Sequence, residues 1–373
     1  MKKILLLTLL IFLLVPNVSF STETVVEDQM KALNLGTFIE ESGKYTNEVF
    51  PELDVQELIT KSLTGKVDNG IFYKALLRLL GKELVSNITV LGSVLIIIVI
   101  HSILKSISGN LGNENTSQVA YFVEYILIIT LIIGSFGIII INIKNTITNL
   151  VDFMNNLVPI LIALIVATGQ VASSTLLQPI LIFAVIFLGN IINLVILPIV
   201  TMIMILNIAS NLSDKIQIGN LSKFFTSSIT WFLGFVITVF VGLLSLEGTL
   251  TSSVDGITVK GIKSVASTFI PVVGKALGDS VDTVLGATTL IKNAIGFVGI
   301  IIVIGICALP IIRLTSLVGA ISEPIADKKI VTIINQMAGI FKILLGIMFF
   351  IAVLLIIGIA LTLKISNVSL MYR

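Results

Sequence analysis

The chain has 373 residues, 56% of them hydrophobic and only 12% charged, with a mean hydropathy of +1.11. A soluble globular domain carries about a quarter charged residues, so this composition excludes a water-soluble body and points to helices crossing a hydrocarbon core, each roughly 20 residues long. The net charge of +2 gives no basic field for nucleic acid, and one cysteine (Cys307) with one histidine (His101) leaves neither an internal disulfide nor a Cys/His metal set.

In chain order, residues 1–21 have the form of a cleaved signal peptide. Lys2 and Lys3 precede a short apolar run from Ile4 to Val15, then Pro16 and a small-x-small site at Ser19-Phe20-Ser21. An uncleaved anchor helix is the alternative, and the shortness of the run counts against it. Residues 22–87 form a polar segment, acidic in its first half, that reads as a short helical extracytoplasmic region. Within it, Pro51 to Leu63 spaces Leu53, Leu58, Ile59 and Leu63 at helical intervals. Ile71 to Leu84 sets Leu76, Leu77, Leu79 and Leu80 against Lys74, Arg78, Lys82 and Glu83. That pattern fits either a helix lying on the membrane surface or a small helical cap.

A first transmembrane region occupies residues 88–246. Ile88 to Leu104 and Val119 to Ile141 are spans, and Leu157 to Thr168 is apolar but short. Pro179 to Ala209 is too long for one straight helix and contains Pro198. Two short helices fit it, as does a kinked span with a re-entrant piece. Thr226 to Leu246 is a clear span. Residues 247–293 are a glycine-rich amphipathic inter-span segment, in which a helix started by Pro271 repeats apolar residues at Val273, Leu277, Val281 and Val284. Ala294 to Ile312 and Ile340 to Leu363 complete a C-terminal transmembrane region over 294–373. The expected fold is all-α: a polytopic integral membrane protein with about six to eight transmembrane helices.

No constellation of catalytic type stands out, and no G-x-x-x-x-G-K-[ST] phosphate loop occurs. The expectation is a non-enzymatic protein without a cofactor. Candidate intramembrane polar residues are Glu124, Asn190 and Asn193, because polar groups inside spans line paths or join helices. Candidate helix-packing, pore or docking residues are Pro271, Gly274, Gly278, Asp279, Asp282 and Gly286, since small residues one or two turns apart permit close helix approach. Pro159 and Pro198 are spaced as Pro271 and Pro310 are, 39 residues apart, at an offset of 112. Both a duplicated half and a chance match of apolar sequence account for that spacing.

The most individual stretch runs from Trp231 to Gly299. Phe240 to Gly248 reads F-V-G-L-L-S-L-E-G, followed by Asp255-Gly256, F-I-P-V-V-G-K (Phe269 to Lys275), D-x-x-D-T-V-L-G (Asp279 to Gly286) and L-I-K-N-A-I-G (Leu290 to Gly296). With Leu84 to Asn87, Ala120 to Val123 and Glu323 to Asp327, these motifs resemble, in order, the stage III sporulation protein AE family. Ala287-Thr288-Thr289 departs from the family pattern, where a cysteine and more leucine are expected. The resemblance implies a multi-pass protein of the mother-cell-derived membrane around the forespore. It implies as partners the other stage III sporulation membrane proteins and a forespore-side protein, in a channel complex required for forespore development. It carries over no catalytic residues. An independent secondary transporter and a pure scaffold for ring-forming partners are the other readings.

Overall fold

The computed structural model describes residues 35–46, 54–63, 114–212, 219–269, 274–321 and 328–371, with isolated positions between 70 and 103. The expected leader, the Ile71 to Leu84 stretch, the Ile88 to Leu104 span and Pro271 lie outside the continuously described residues. Those residues fold into eight α-helices and no strand: α1 (Leu35–Thr46), α2 (Val55–Leu63), α3 (Glu114–Ala167), α4 (Val171–Ile191), α5 (Leu197–Leu212), α6 (Gly219–Phe269), α7 (Gly274–Ile321) and α8 (Lys328–Met371). Among the described residues, five stretches are long and apolar enough to cross a membrane: Ile133–Ala167, Val171–Ser210, Gly219–Glu247, Asp282–Thr315 and Ile334–Lys364.

The expected span Val119 to Ile141 and the short apolar stretch at Leu157 are not separate elements but parts of the single helix α3. Read along the chain, Lys144, Asn145, Thr148, Asn149 and Asp152 look like a polar break. At helical period, however, these five are exposed, while Ile143, Ile147, Leu150, Phe153 and Met154 are buried on the other face. The helix therefore runs on. Pro179 to Ala209 is likewise one continuous path, α4 to α5, through a π-helical turn at Ile192–Ile196. Pro198 lacks an N–H and its ring presses on the carbonyl four residues back. The wider turn, in which the Leu197 N–H donates to the Ile192 carbonyl, accommodates it without breaking the span.

The α3–α4 reversal is tight. Gly169 adopts φ 82°, its N–H donates to the Val166 carbonyl at 2.8 Å, and the Gln170 N–H reaches the Ile165 carbonyl at 3.3 Å. This is a Schellman cap, whose left-handed position favours glycine. Around it, α3 packs against α4 and α7, α7 pairs most extensively with α8, and α6 contacts α4, α5, α7 and α8. The interior is filled by side chains such as Leu157, Ile192, Val200, Leu244, Ile302 and Leu344, each fully buried. Lipid tails are as apolar as these side chains, so close packing rather than transfer from water holds the spans together.

Among the described residues, three glycines set the closest approaches. A Cβ at Gly189 would lie 2.6 Å from Val151, one at Gly296 2.5 Å from Leu363, and one at Gly299 2.7 Å from Leu157. A Cβ at Gly358 would meet Phe240 at 3.3 Å and Leu181 at 3.6 Å. These contacts fix the register of all five spans.

The two short helices dock on this bundle. Asp54 caps α2, its carboxylate accepting from the Gln56 N–H at 2.9 Å. Leu58 and Ile59 are buried, as the helical spacing predicts, Leu63 is partly buried, Val55 joins them, and α2 packs on α7. Leu35 and Phe38 of α1 are buried against the same core, and Phe153 of α3 meets both Phe38 and Tyr45, with ring centroids 6.2 and 6.0 Å apart. Asn156 of α3 donates to the Glu41 carboxylate.

Burial, then the nearby Asp152 and Glu41 carboxylates, raise the Tyr45 phenol above its ordinary pKa of 10.0. Folding therefore favours the protonated phenol. Its contribution is fully present below pH 10.0 and is lost as pH rises through the raised value. Titration of the phenolate absorbance should show one tyrosine ionising later than the free phenol, and Tyr45→Phe should abolish that late component. Loss of no late component in the variant would refute the assignment.

A buried polar layer as candidate functional site

The glycine registers place most of the buried polar side chains at one end of the bundle, beside the α3–α4 turn. Gly358 of α8 sits level with Phe240 of α6 and Leu181 of α4. Stepping from that level towards the turn at 1.5 Å per residue reaches Thr168, Gln170, Ser173, Ser174, Glu247, Thr288, Lys292 and Thr362, all buried. Asp255 lies further out on the same side, and Ser42, Thr146, Asn207 and Ser222 are the buried polar residues elsewhere among the described residues.

Several hydroxyls in this layer are satisfied within their own helices. Thr288 donates to the Val284 carbonyl, Thr362 to Gly358, Thr168 to Ile165 and Ser174 to Val171, at 2.7–2.8 Å. Such local bonds let a hydroxyl enter an apolar bundle at little cost. Charged groups cannot be handled that way. Lys292 is wholly removed from solvent, and Glu247 is 3% exposed. Burying an ion costs several kcal/mol unless partners replace the lost water.

Asp255 shows how one such charge is held. The first N–H groups of any helix lack intrahelical acceptors, and Gln170, at the start of α4, provides no side-chain cap. The Asp255 carboxylate, which is 1% exposed, fills that role from α6. One oxygen accepts from the Ala172 N–H at 2.9 Å, the other from the Ser173 N–H at 3.0 Å. The anion also meets the positive end of the α4 dipole. The carboxylate thus pins the α6 extension to the start of α4.

Beyond Asp255, α6 continues to Phe269, a further roughly 20 Å at helical rise, and α7 begins its return at Gly274. Residues 247–293 therefore contain the helical continuations of two spans. Gly274, Gly278 and Asp279 lie on the returning arm. Asp282 is partly buried where the apolar part of α7 begins, and Gly286 is exposed with nothing within 4 Å of a built Cβ. Glu124 falls in the first part of α3 and Asn190 is exposed at the end of α4. Asn193 sits half-buried in the π turn, its side-chain oxygen buried without a hydrogen bond among the described residues. The layer does not bring Glu124, Asn190 and Asn193 together.

The residues that define the layer, Glu247, Asp255 and Lys292, were not among the candidates drawn from sequence. The available signal was a charge inside each apolar motif, S-L-E-G and L-I-K-N-A. Among the described residues no three His, Cys, Asp or Glu side chains converge as a metal set.

A bundle of long apolar helices, with its buried charges gathered at one end and amphipathic helices docked on its flank, defines a multi-span helical membrane protein. Its sequence matches the family model of stage III sporulation protein AE over residues 53–366. The chain belongs to that family. It is 29% identical over 296 residues to the stage III sporulation protein AE of Bacillus subtilis (strain 168), covering 76% of this chain and 74% of that protein. No solved structure matches it. It is thus a sporulation-related membrane protein.

Proposed function

We propose that this chain is a non-enzymatic membrane component of a channel-like, secretion-like complex linking mother cell and forespore, and that it works in the mother-cell-derived membrane. The observation that carries this reading is the pair of helical arms, 256–269 and 274–281, continuing past the Asp255 clamp. Arms longer than a span needs offer partners a surface outside the apolar bundle. Gly274 and Gly278, one turn apart, are small enough for a partner helix to approach closely. The filled interior supports a role in holding or flanking a conduit, rather than an independent permease with a path through its own spans. That makes the scaffold form the second reading.

The test is photo-crosslinking from positions 278 and 279 in sporulating cells. Adducts with other stage III sporulation membrane proteins are expected, and Gly278→Leu should lose them, along with forespore development, while the purified variant unfolds at the wild-type temperature. Adducts with lipid alone, or normal sporulation in the variant, would overturn the docking assignment.

A further inference from the structure

We propose that a water-filled path runs along the outside of the bundle at bilayer depth, with the exposed polar flank of α3 and the outer face of α1 beside it as its wall. Lys144, Asn145, Thr148, Asn149, Asp152 and Asn155 recur at helical period and are all exposed. They lie inside the apolar stretch Ile133–Ala167, so the polar flank falls within a stretch long enough to cross a membrane.

The glycine contacts fix its depth. Val151, in the middle of the flank, meets Gly189, which stands near the middle of the 40-residue apolar stretch Val171–Ser210. Stepping along each helix at 1.5 Å per residue finds the same level on the other spans. From the contact of Gly358 with Phe240 and Leu181, about 12 Å leads to Gly189 on α4, Trp231 on α6 and Phe349 on α8. From the contact of Gly299 with Leu157, about 8 Å leads to Val151 on α3 and Ile304 on α7. Trp231, Phe349 and Ile304 are exposed, as are Phe183, Ile186 and Leu194 around Gly189. At one depth, then, four spans turn apolar groups outward and the fifth turns amides and charges outward.

Acyl chains suit the four and not the fifth. Thr148 returns its hydroxyl to the Lys144 carbonyl at 3.1 Å. The amides of Asn145, Asn149 and Asn155 and the charges of Lys144 and Asp152 need water or polar groups, which hydrocarbon does not supply. The same flank carries α1, whose Phe38 and Tyr45 pack on Phe153, two residues from Val151. Glu40 and Lys44 remain exposed on the far side of α1, so a second helix sets charges outward at this depth. Because the interior of the bundle is filled, the water lies outside it. The inference rests on the conduit reading above, which supplies the neighbours that close the path.

The experiment uses the full chain carrying Cys307→Ala, which removes the buried native thiol, in broken membranes from sporulating cells whose two faces both meet the reagent. Asn145→Cys, Asn149→Cys and Glu40→Cys sample the flank, and Phe183→Cys, Trp231→Cys and Phe349→Cys sample the same depth elsewhere. All six positions are exposed, so packing does not separate them. A permanently charged methanethiosulfonate then reports water at each, since the thiolate is the reacting form. The flank set should react roughly a hundredfold faster or more, the ratio expected when acyl chains raise a thiol pKa by about two. Equal rates in the two sets would overturn the path. Fast flank labelling with lipid adducts alone from positions 278 and 279 would keep the path and overturn the docking assignment. Slow flank labelling with protein adducts from those positions would do the reverse.

Discussion

Asp255→Ala will destabilise the bundle by about 3 kcal/mol and release the first turn of α4. The substitution strands the Ala172 and Ser173 N–H groups, each bonded to an oxygen of a carboxylate that is 1% exposed. A hydrogen bond to a charged acceptor contributes about 1.5–3 kcal/mol, and an orphaned buried donor costs a further amount of that order. Repacking and water entry return part of this, which sets the expected loss near the middle of the range. Asp255→Asn keeps an acceptor but loses the charge and its attraction to the helix start, so its loss should be smaller. Hydrogen exchange read at Ala172 and Ser173 separates the clamp from general loosening. Those amides should exchange far faster in Asp255→Ala, while amides in the middle of α8 keep their protection until global unfolding. Unchanged exchange at the two amides would refute the clamp.

Gly299→Leu and Gly286→Leu will act in different directions on the fold although both glycines lie on α7. At Gly299 a Cβ alone comes within 2.7 Å of one Leu157 methyl and 3.4 Å of the other, and Leu157 is completely buried. A full leucine there must wedge α3 from α7, and overpacking of this kind costs about 3 kcal/mol. At Gly286 nothing lies within 4 Å, and replacing an exposed helical glycine removes a penalty of about 1 kcal/mol. Unfolding temperatures in detergent should therefore fall for the first variant and hold or rise for the second. Leu157→Ala combined with Gly299→Leu should recover part of the loss, because it returns space to the same contact. Equal effects of the two leucines would show that the register read from the glycines is wrong.

Spans were legible from sequence wherever apolar residues ran without interruption, as at Thr226 to Leu246 and Ile340 to Leu363. They were misread where a single helix carries both a polar and an apolar face, as around Lys144 to Asp152, because a linear scan averages over the faces. Pro198 announced a break in the α-helix, but its form, a π turn, depends on how the neighbouring backbone relaxes. The close-approach glycines show a similar limit. Among the described residues, neighbours press upon Gly189, Gly296 and Gly299, which were not among the packing candidates drawn from sequence. Which glycine is crowded depends on the facing helix, not on the spacing. Asp255 stood out only as part of a family motif, since its partner amides lie more than eighty residues upstream.

The seating of α2 on α7 sets an order of events during synthesis. Val55 leaves the ribosome long before Gly274, and at roughly 5–20 residues per second the interval is on the order of ten to forty seconds. For that time the apolar face of Val55, Leu58 and Ile59 has only α1 beside it and lacks the α7 surface on which it mainly packs. Final closure of the bundle thus waits on a contact between the earliest and nearly the latest parts of the chain. A pause in translation before α7 would prolong the exposure of that face, whereas one after α8 would leave it covered.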